Sequence, residues 1–383
     1  MTMLNLGGTP SRDTVRAKLA HIDWTLCLLL TGIVVAGGLM LYSIAGGSWS
    51  PWAARHLVLY AVCFWLMIGL AMVDPKVWYA SAYPIYGLGV LMLLAVAVIG
   101  HSSLGAKRWL DFGPIRLQPS EIIKLALVLA LARFYHGLPQ HRARLSWWLL
   151  VPAGLILLPA ALVARQPDLG TAVLIVATGG LMMILGGLSL RLVAAGLVAV
   201  GAALPVLFAL VLKPYQKARL LTFLHPEADK SGAGYHIIQS KIALGSGGLL
   251  GKGFGLGTQS QLNFLPEKST DFIFSSMAEE FGFLGCATVL ALYAAVIFLS
   301  LRTASIAHSH FARMAASGVT ATFAVCVLIN GAMVMGLAPV VGVPMPLLSY
   351  GGTVMITMMV GFALVLSVKV FRYSEVTRSG GFV

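Results

Sequence analysis

The stretch Pro266-Glu267-Lys268-Ser269-Thr270-Asp271-Phe272 closes a hydrophilic segment and leads straight into a long apolar one. Ser269 or Thr270 is placed to cap a helix there, which sets Asp271 in its first turn. A carboxylate at that place can serve as a general base, or can do no more than complement the helix dipole. Both readings stay open on these residues alone. Glu279 and Glu280 follow in the same apolar run, roughly 12 Å deeper at about 1.5 Å per residue. Ionisable groups so placed must be paired or protonated, and a structural ion pair or hydrogen bond is the expected role for both.

Gln118-Pro119-Ser120-Glu121-Ile122-Ile123-Lys124 opens another apolar run. Glu121 and Lys124 are three apart and can pair along one helix face. The pair either makes two charges tolerable near a bilayer or lines a cavity beside Lys107-Arg108-Trp109. Arg165-Gln166-Pro167-Asp168-Leu169-Gly170 reads as a tight turn in which Asp168 caps the next helix. Ser349-Tyr350-Gly351-Gly352 follows Pro339, Pro344 and Pro346 and reads as a broken or re-entrant start to the last apolar run. Non-helical backbone at such depth is buried in protein or lines a cavity.

The glycine-rich run Gly245 to Gly257 is not a P-loop, because Gly-Lys is followed by Gly253 rather than Ser or Thr. A compact turn is expected instead. Cys27, Cys63, Cys286 and Cys326 lie in apolar runs without a CxxC pair, so they read as buried apolar residues. The scattered histidines form no metal-ligand pattern. No cofactor is called for, and a divalent cation at an anionic substrate stays open.

These residues must be positioned by membrane-spanning helices. Of 383 residues, 58% are apolar and 10% charged, whereas a soluble domain carries about a quarter charged residues. Mean hydropathy is +0.89. The net charge of +13 sits in loops rather than on a basic helix, so nucleic-acid binding is not supported. Apolar runs of about 20 residues fall near 23–45, 54–73, 77–99, 119–136, 146–164, 169–187, 190–212, 270–300, 312–338 and 347–370. The expected fold is therefore all-α and polytopic, with about ten transmembrane helices and a large extracytoplasmic loop, 213–269, between spans seven and eight. Residues 1–22 and 373–383 are read as cytoplasmic tails around a membrane domain, 23–372.

Arg12, Arg16, Lys18, Lys76, Arg142, Arg144, Arg191, Arg302, Lys369, Arg372 and Arg378 fall on one side, which the positive-inside rule makes cytoplasmic. Lys107, Arg108 and Arg116 oppose that orientation, unless a cationic outer face receives an anionic ligand. Short amphipathic helices at the membrane surface are expected within the long loop, around Tyr235, Ile238 and Ile242.

Five ordered stretches carry a resemblance: GAKRWLDFGPIRLQPSEIIKL, RQPDLGTA, YQKARLLTFLHP, GYHIIQSKIALGSGGLLGKGFGLGTQSQLNFLPEKSTDFIFSSMAEEFG and VGVPMPLLSYGG. The chain resembles the family of membrane proteins for shape, elongation, division and sporulation, and its GYH and GKGFGLGTQSQLNFLPE stretches resemble the elongation branch. The resemblance implies ten spans with both termini in the cytoplasm. It implies polymerisation of lipid II into glycan strands on the outer face of the inner membrane. A class B penicillin-binding protein and other elongation-complex membrane proteins are the implied partners.

It also implies Asp271, in the TDFIF motif, as the catalytic residue. Around it, Lys107, Arg108, Trp109, Glu121, Lys124, Gln166, Asp168, Arg219, Tyr235, Gln239 and Ser349 are the substrate-binding candidates. Lys107, Arg108 and Arg219 are assigned to the departing lipid diphosphate. Lys268-Ser269 departs from the usual pair before Thr270, which bears on Lys268 as a substrate contact. A lipid-linked precursor transporter and a noncatalytic scaffold are the rival classes.

Overall fold

The computed structural model describes residues 15–376 apart from 104–105, 113–114, 139–146, 207–213, 229–231 and 266. Arg12, Arg142, Arg144, Lys213, Lys230 and Arg378 lie outside the described residues. The chain runs through α1 (Val15–Ala20), α2 (Trp24–Ile44), α3 (Ala53–Ala71) and α4 (Pro75–Ile99). A small sheet follows, β1 (His101–Ser103), β2 (Ala106–Phe112) and β3 (Ile115–Leu117), antiparallel in the order β1-β2-β3. Next come α5 (Pro119–Gly137), α6 (Leu150–Arg165), α7 (Leu169–Leu185) and α8 (Leu190–Val206). The long loop holds α9 (Pro214–Leu224), α10 (Ala233–Ser246) and α11 (Thr258–Gln261). The chain ends with α12 (Ile273–Ile306), α13 (His310–Val334) and α14 (Gly352–Val370).

Among the described residues, seven helices are long and apolar enough to cross a membrane, namely α2, α3, α4, α6, α12, α13 and α14. The chain is a multi-pass, mainly helical membrane protein. α13 and α14 bury 67% of their most apolar window and α4 and α6 only 28%, which separates the inner helices from those left facing lipid. α5 packs between α4, α13 and α7, and most of its residues are buried, Glu121 and Lys124 among them. Its central place explains how a helix carrying Glu121 and Lys124 sits in an apolar bundle: neighbouring protein shields it from hydrocarbon.

The two ends of the bundle differ. At one end the Lys369 ammonium pairs with Asp23, Lys18 lies 4.7 Å over the Phe371 ring, and the Ser374 hydroxyl donates to Asp74 at 3.2 Å. These contacts bring α1 and the last described residues together. The opposite end carries the sheet, the long loop and the segment between α13 and α14.

Three expectations change here. The residues before α5 form a three-stranded sheet, not a plain loop. The last helix begins at Gly352 rather than near 347, because Ser349 and Tyr350 hydrogen-bond to the turn before α12 instead. Helix α12 begins at Ile273, so Asp271 stands in the turn before the helix and not in its first turn. There the Thr270 and Phe272 amides both donate to the Glu267 carbonyl, and neither Ser269 nor Thr270 caps the helix.

Candidate functional site

Helix α12 is broken where its two deep glutamates lie. Gly282 takes φ 64°, ψ −160°, and the glycine-rich loop is driven into the break. The Lys252 and Gly253 amides donate to the Glu279 and Glu280 carbonyls at 2.9 and 3.0 Å, and the Phe283 and Leu284 amides donate to the Gly248 and Leu249 carbonyls. A kink frees backbone groups that must be satisfied again in an apolar setting, and the loop does this. A Cβ on Gly282 would lie 2.3 Å from the Gly251 nitrogen, and one on Gly251 would lie 2.1 Å from the Glu280 carbonyl oxygen. Only glycine allows two backbones so close.

The carboxylates complete the joint. Glu279, fully buried, accepts from Lys252 Nζ at 2.6 Å, from the Thr258 hydroxyl at 2.8 Å and from the Gln259 amide at 3.0 Å. Glu280 accepts from the Ser43 hydroxyl at 2.6 Å and the Gly255 amide at 3.1 Å. Both glutamates thus fasten the loop to α12 and α2.

Above this joint the Asp271 turn is held on several sides. The Asn330 amide donates to the Asp271 carbonyl and to the Val343 carbonyl, both at 2.8 Å. The Ser349 hydroxyl donates to the Thr270 carbonyl at 2.6 Å and accepts from the Met345 amide at 2.9 Å. The Tyr350 amide donates to the Ser269 carbonyl at 2.9 Å. Lys268 is buried and donates to the Ser260 carbonyl and to Asn263 Oδ1. Burial pushes its ammonium below the ordinary lysine range. The Asp271 side chain is half-buried, and its Oδ2 lies 3.5 Å from where a Cβ on Gly342 would stand.

Gly342 lines a cavity of about 60 Å³ together with Gln118, Glu121, Lys124, Thr171 and Cys326. In its wall Lys124 Nζ sits 2.9 and 2.8 Å from the two Glu121 oxygens, with both side chains buried. Asp168 caps α7 through the Thr171 amide at 3.2 Å and hydroxyl at 3.0 Å, and its charge acts on Lys124. Glu121 and Lys124 thus line the cavity, while Asp271 and Asp168 stand beside two residues of its wall, Gly342 and Thr171.

The other candidates distribute differently. Arg108 donates to the Gln166 carbonyl at 3.3 Å and to the Pro167 carbonyl, and Gln166 donates to the Leu93 carbonyl at 2.8 Å. These two shape the α6–α7 turn. Ser349 braces the Asp271 turn. Trp109 is half-buried on β2, and Tyr235 and Gln239 are half-buried on α10. That helix is tied beside the Asp271 turn by Ser240, whose hydroxyl meets the Ser275 hydroxyl at 2.8 Å. Lys107 lies on β2 and Arg219 on α9, and their side chains fall outside the described residues.

Asn330 was missed by sequence reasoning. Its signal was available: a lone amide inside an apolar run has to find partners.

A family model described as cell cycle protein, FtsW/RodA/SpoVE, matches residues 18–374. Peptidoglycan glycosyltransferase MrdB of Escherichia coli (strain K12) is 43% identical over 365 residues, covering 95% of this chain and 97% of that protein. A chain from a peptidoglycan synthase complex, described as coordinating polymerization and crosslinking, superposes with a TM-score of 0.79 at 31% identity, covering 92% of this chain and 98% of that one. The crystal structure of the Thermus thermophilus rod shape determining protein RodA gives a TM-score of 0.69 at 29% identity, covering 92% and 98%.

Proposed function

As a member of the FtsW/RodA/SpoVE family the chain is a peptidoglycan glycosyltransferase, and we propose that it polymerises lipid II with Asp271 as general base. The sugar hydroxyl of one lipid II attacks the anomeric carbon of another, and the lipid diphosphate leaves. That hydroxyl is a weak nucleophile at neutral pH and needs a base within hydrogen-bond reach. A half-buried carboxylate beside a polar cavity suits the task. Charge growing on the diphosphate calls for preplaced cations, and Lys107 and Arg219 are proposed for it on charge and chain position.

The proposed topology has ten spans, with both termini cytoplasmic and the site on the outer face. The contact of Lys369 with Asp23 supports termini at one end, and Ser374 with Asp74 adds the α3–α4 turn to that end. A class B penicillin-binding protein is the proposed partner, supported by the likeness to a synthase complex that joins polymerization to crosslinking.

The observation that carries this reading is the approach of Asp271 Oδ2 to Gly342 in the wall of the Glu121–Lys124 cavity. The isolated chain, reconstituted in vesicles with lipid II, is expected to yield glycan polymer. Lipid II translocation without polymer would favour a transporter instead, and neither product would favour a scaffold.

A further inference from the structure

The last described residues run as a strap across the end of the bundle remote from the Asp271 turn. Just past α14 the Arg372 carbonyl accepts from the His308 amide in the α12–α13 turn at 3.2 Å, and the Tyr373 ring lies 5.4 Å from the His308 ring. Ser374 donates to Asp74 in the α3–α4 turn at 3.2 Å. Val376 is buried, and its carbonyl accepts at 3.1 Å from Nε2 of His136, near the end of α5.

His136 is 4% exposed and uses both ring nitrogens. Its Nδ1 accepts from the Phe311 amide, in the first turn of α13, at 3.2 Å. An accepting Nδ1 and a donating Nε2 fix one neutral tautomer. The bond also satisfies the head of α13, where the N-cap residue Ser309 makes no side-chain capping bond among the described residues. A proton on Nδ1 would set two N–H groups against each other and place positive charge at the positive end of a 25-residue helix. The ring would have to turn, and turning withdraws Nε2 from the Val376 carbonyl. Two other titratable groups face the ring, Tyr79 of α4 at 5.4 Å and His310 of α13 at 6.3 Å between centroids. Arg133, one turn back on α5, lies over the Tyr79 ring at 4.7 Å, and the exposed Glu375 precedes Val376 on the strap.

The helices joined here also position the candidate site. α5 carries Glu121 and Lys124, α13 carries Asn330, and α14 follows directly on Ser349 and Tyr350, which brace the Asp271 turn. We propose that His136 and the strap form a proton-sensitive latch. Neutral His136 locks α5, α13 and the strap together, and a proton taken up at Nδ1 releases Val376 and loosens the helices behind the site. The latch itself does not rest on the glycosyltransferase reading; its effect on the polymerisation rate does.

The test is a nitroxide at Glu375→Cys, read by electron paramagnetic resonance on the full chain in nanodiscs; the four native cysteines are buried. The label is expected to be held near about pH 7.5 and freed near about pH 5.5, on either side of the ordinary imidazole value of about 6.5. In His136→Gln, whose amide can accept and donate as the neutral ring does but cannot titrate, it is expected to stay held at both. His310→Asn is expected to keep the wild-type response. A label that ignores pH in wild type, that responds equally in His136→Gln, or that loses its response in His310→Asn overturns the latch. For the reaction, the polymerisation rate of His136→Gln relative to wild type is expected near unity at the higher pH and about fivefold at the lower, the scale of one lost hydrogen bond. A constant ratio while the label is freed overturns the coupling to the site. Absence of polymer at every pH while the label still responds would count against the glycosyltransferase reading and not against the latch.

Discussion

One Asn330 amide nitrogen hydrogen-bonds the carbonyls of Asp271 and Val343, each at 2.8 Å, and so joins the turn that carries the carboxylate to the loop that walls the cavity. Asn330→Leu is therefore expected to cost about 1–3 kcal/mol in stability and to lower the polymerisation rate more than the affinity for lipid II. Thermal unfolding in detergent, together with kcat and KM measured separately, checks this. A variant with wild-type kcat would remove Asn330 as a positioning residue.

Glu121 and Lys124 form a buried pair, and breaking such a pair is worse than replacing it. Glu121→Gln and Lys124→Met alone are each expected to destabilise by about 3–5 kcal/mol, with the double variant recovering part of that loss. Additive losses in the double-mutant cycle would mean that the two side chains act independently.

The joint between α12 and the glycine-rich loop gives a contrast among glycines. Gly282→Ala places a Cβ against backbone at positive φ, and is expected to exceed about 4 kcal/mol of destabilisation or to prevent folding. Gly180, inside α7, would meet nothing within 4 Å. Gly180→Ala is expected to be neutral or stabilising by about 0.5–1 kcal/mol. Equal tolerance at both positions would show that the loop is not seated in the break.

Glu279→Ala strands the Lys252 ammonium and removes acceptors from the Thr258 hydroxyl and the Gln259 amide. The expected loss is about 1.5–3 kcal/mol, the scale of hydrogen bonds to a charged group. Faster proteolysis within 249–261, compared with wild type, reports it. Unchanged cleavage would show that the loop is held by its backbone bonds alone.

Much of this was legible beforehand, for physical reasons. The apolar runs announced the helices, because a bilayer demands their length and composition. The Glu121–Lys124 pair followed from helical spacing, and Asp168 as a cap followed from its place before an apolar run. The start of α12 was misjudged because the carbonyls of Ser269 and Thr270 bond to residues about 80 positions away, at Ser349 and Tyr350. The same long-range bonds delayed the start of α14. Local capping signals cannot register partners so distant. The sheet before α5 was missed since its strands are short and carry charge.

The most direct test is a rapid-quench single turnover of lipid II on the purified chain, comparing wild type with Asp271→Asn. The account predicts unchanged lipid II binding and a glycosyl-transfer step about 10²–10⁴-fold slower, the usual contribution of a general base. A transfer rate equal to wild type in Asp271→Asn would contradict it.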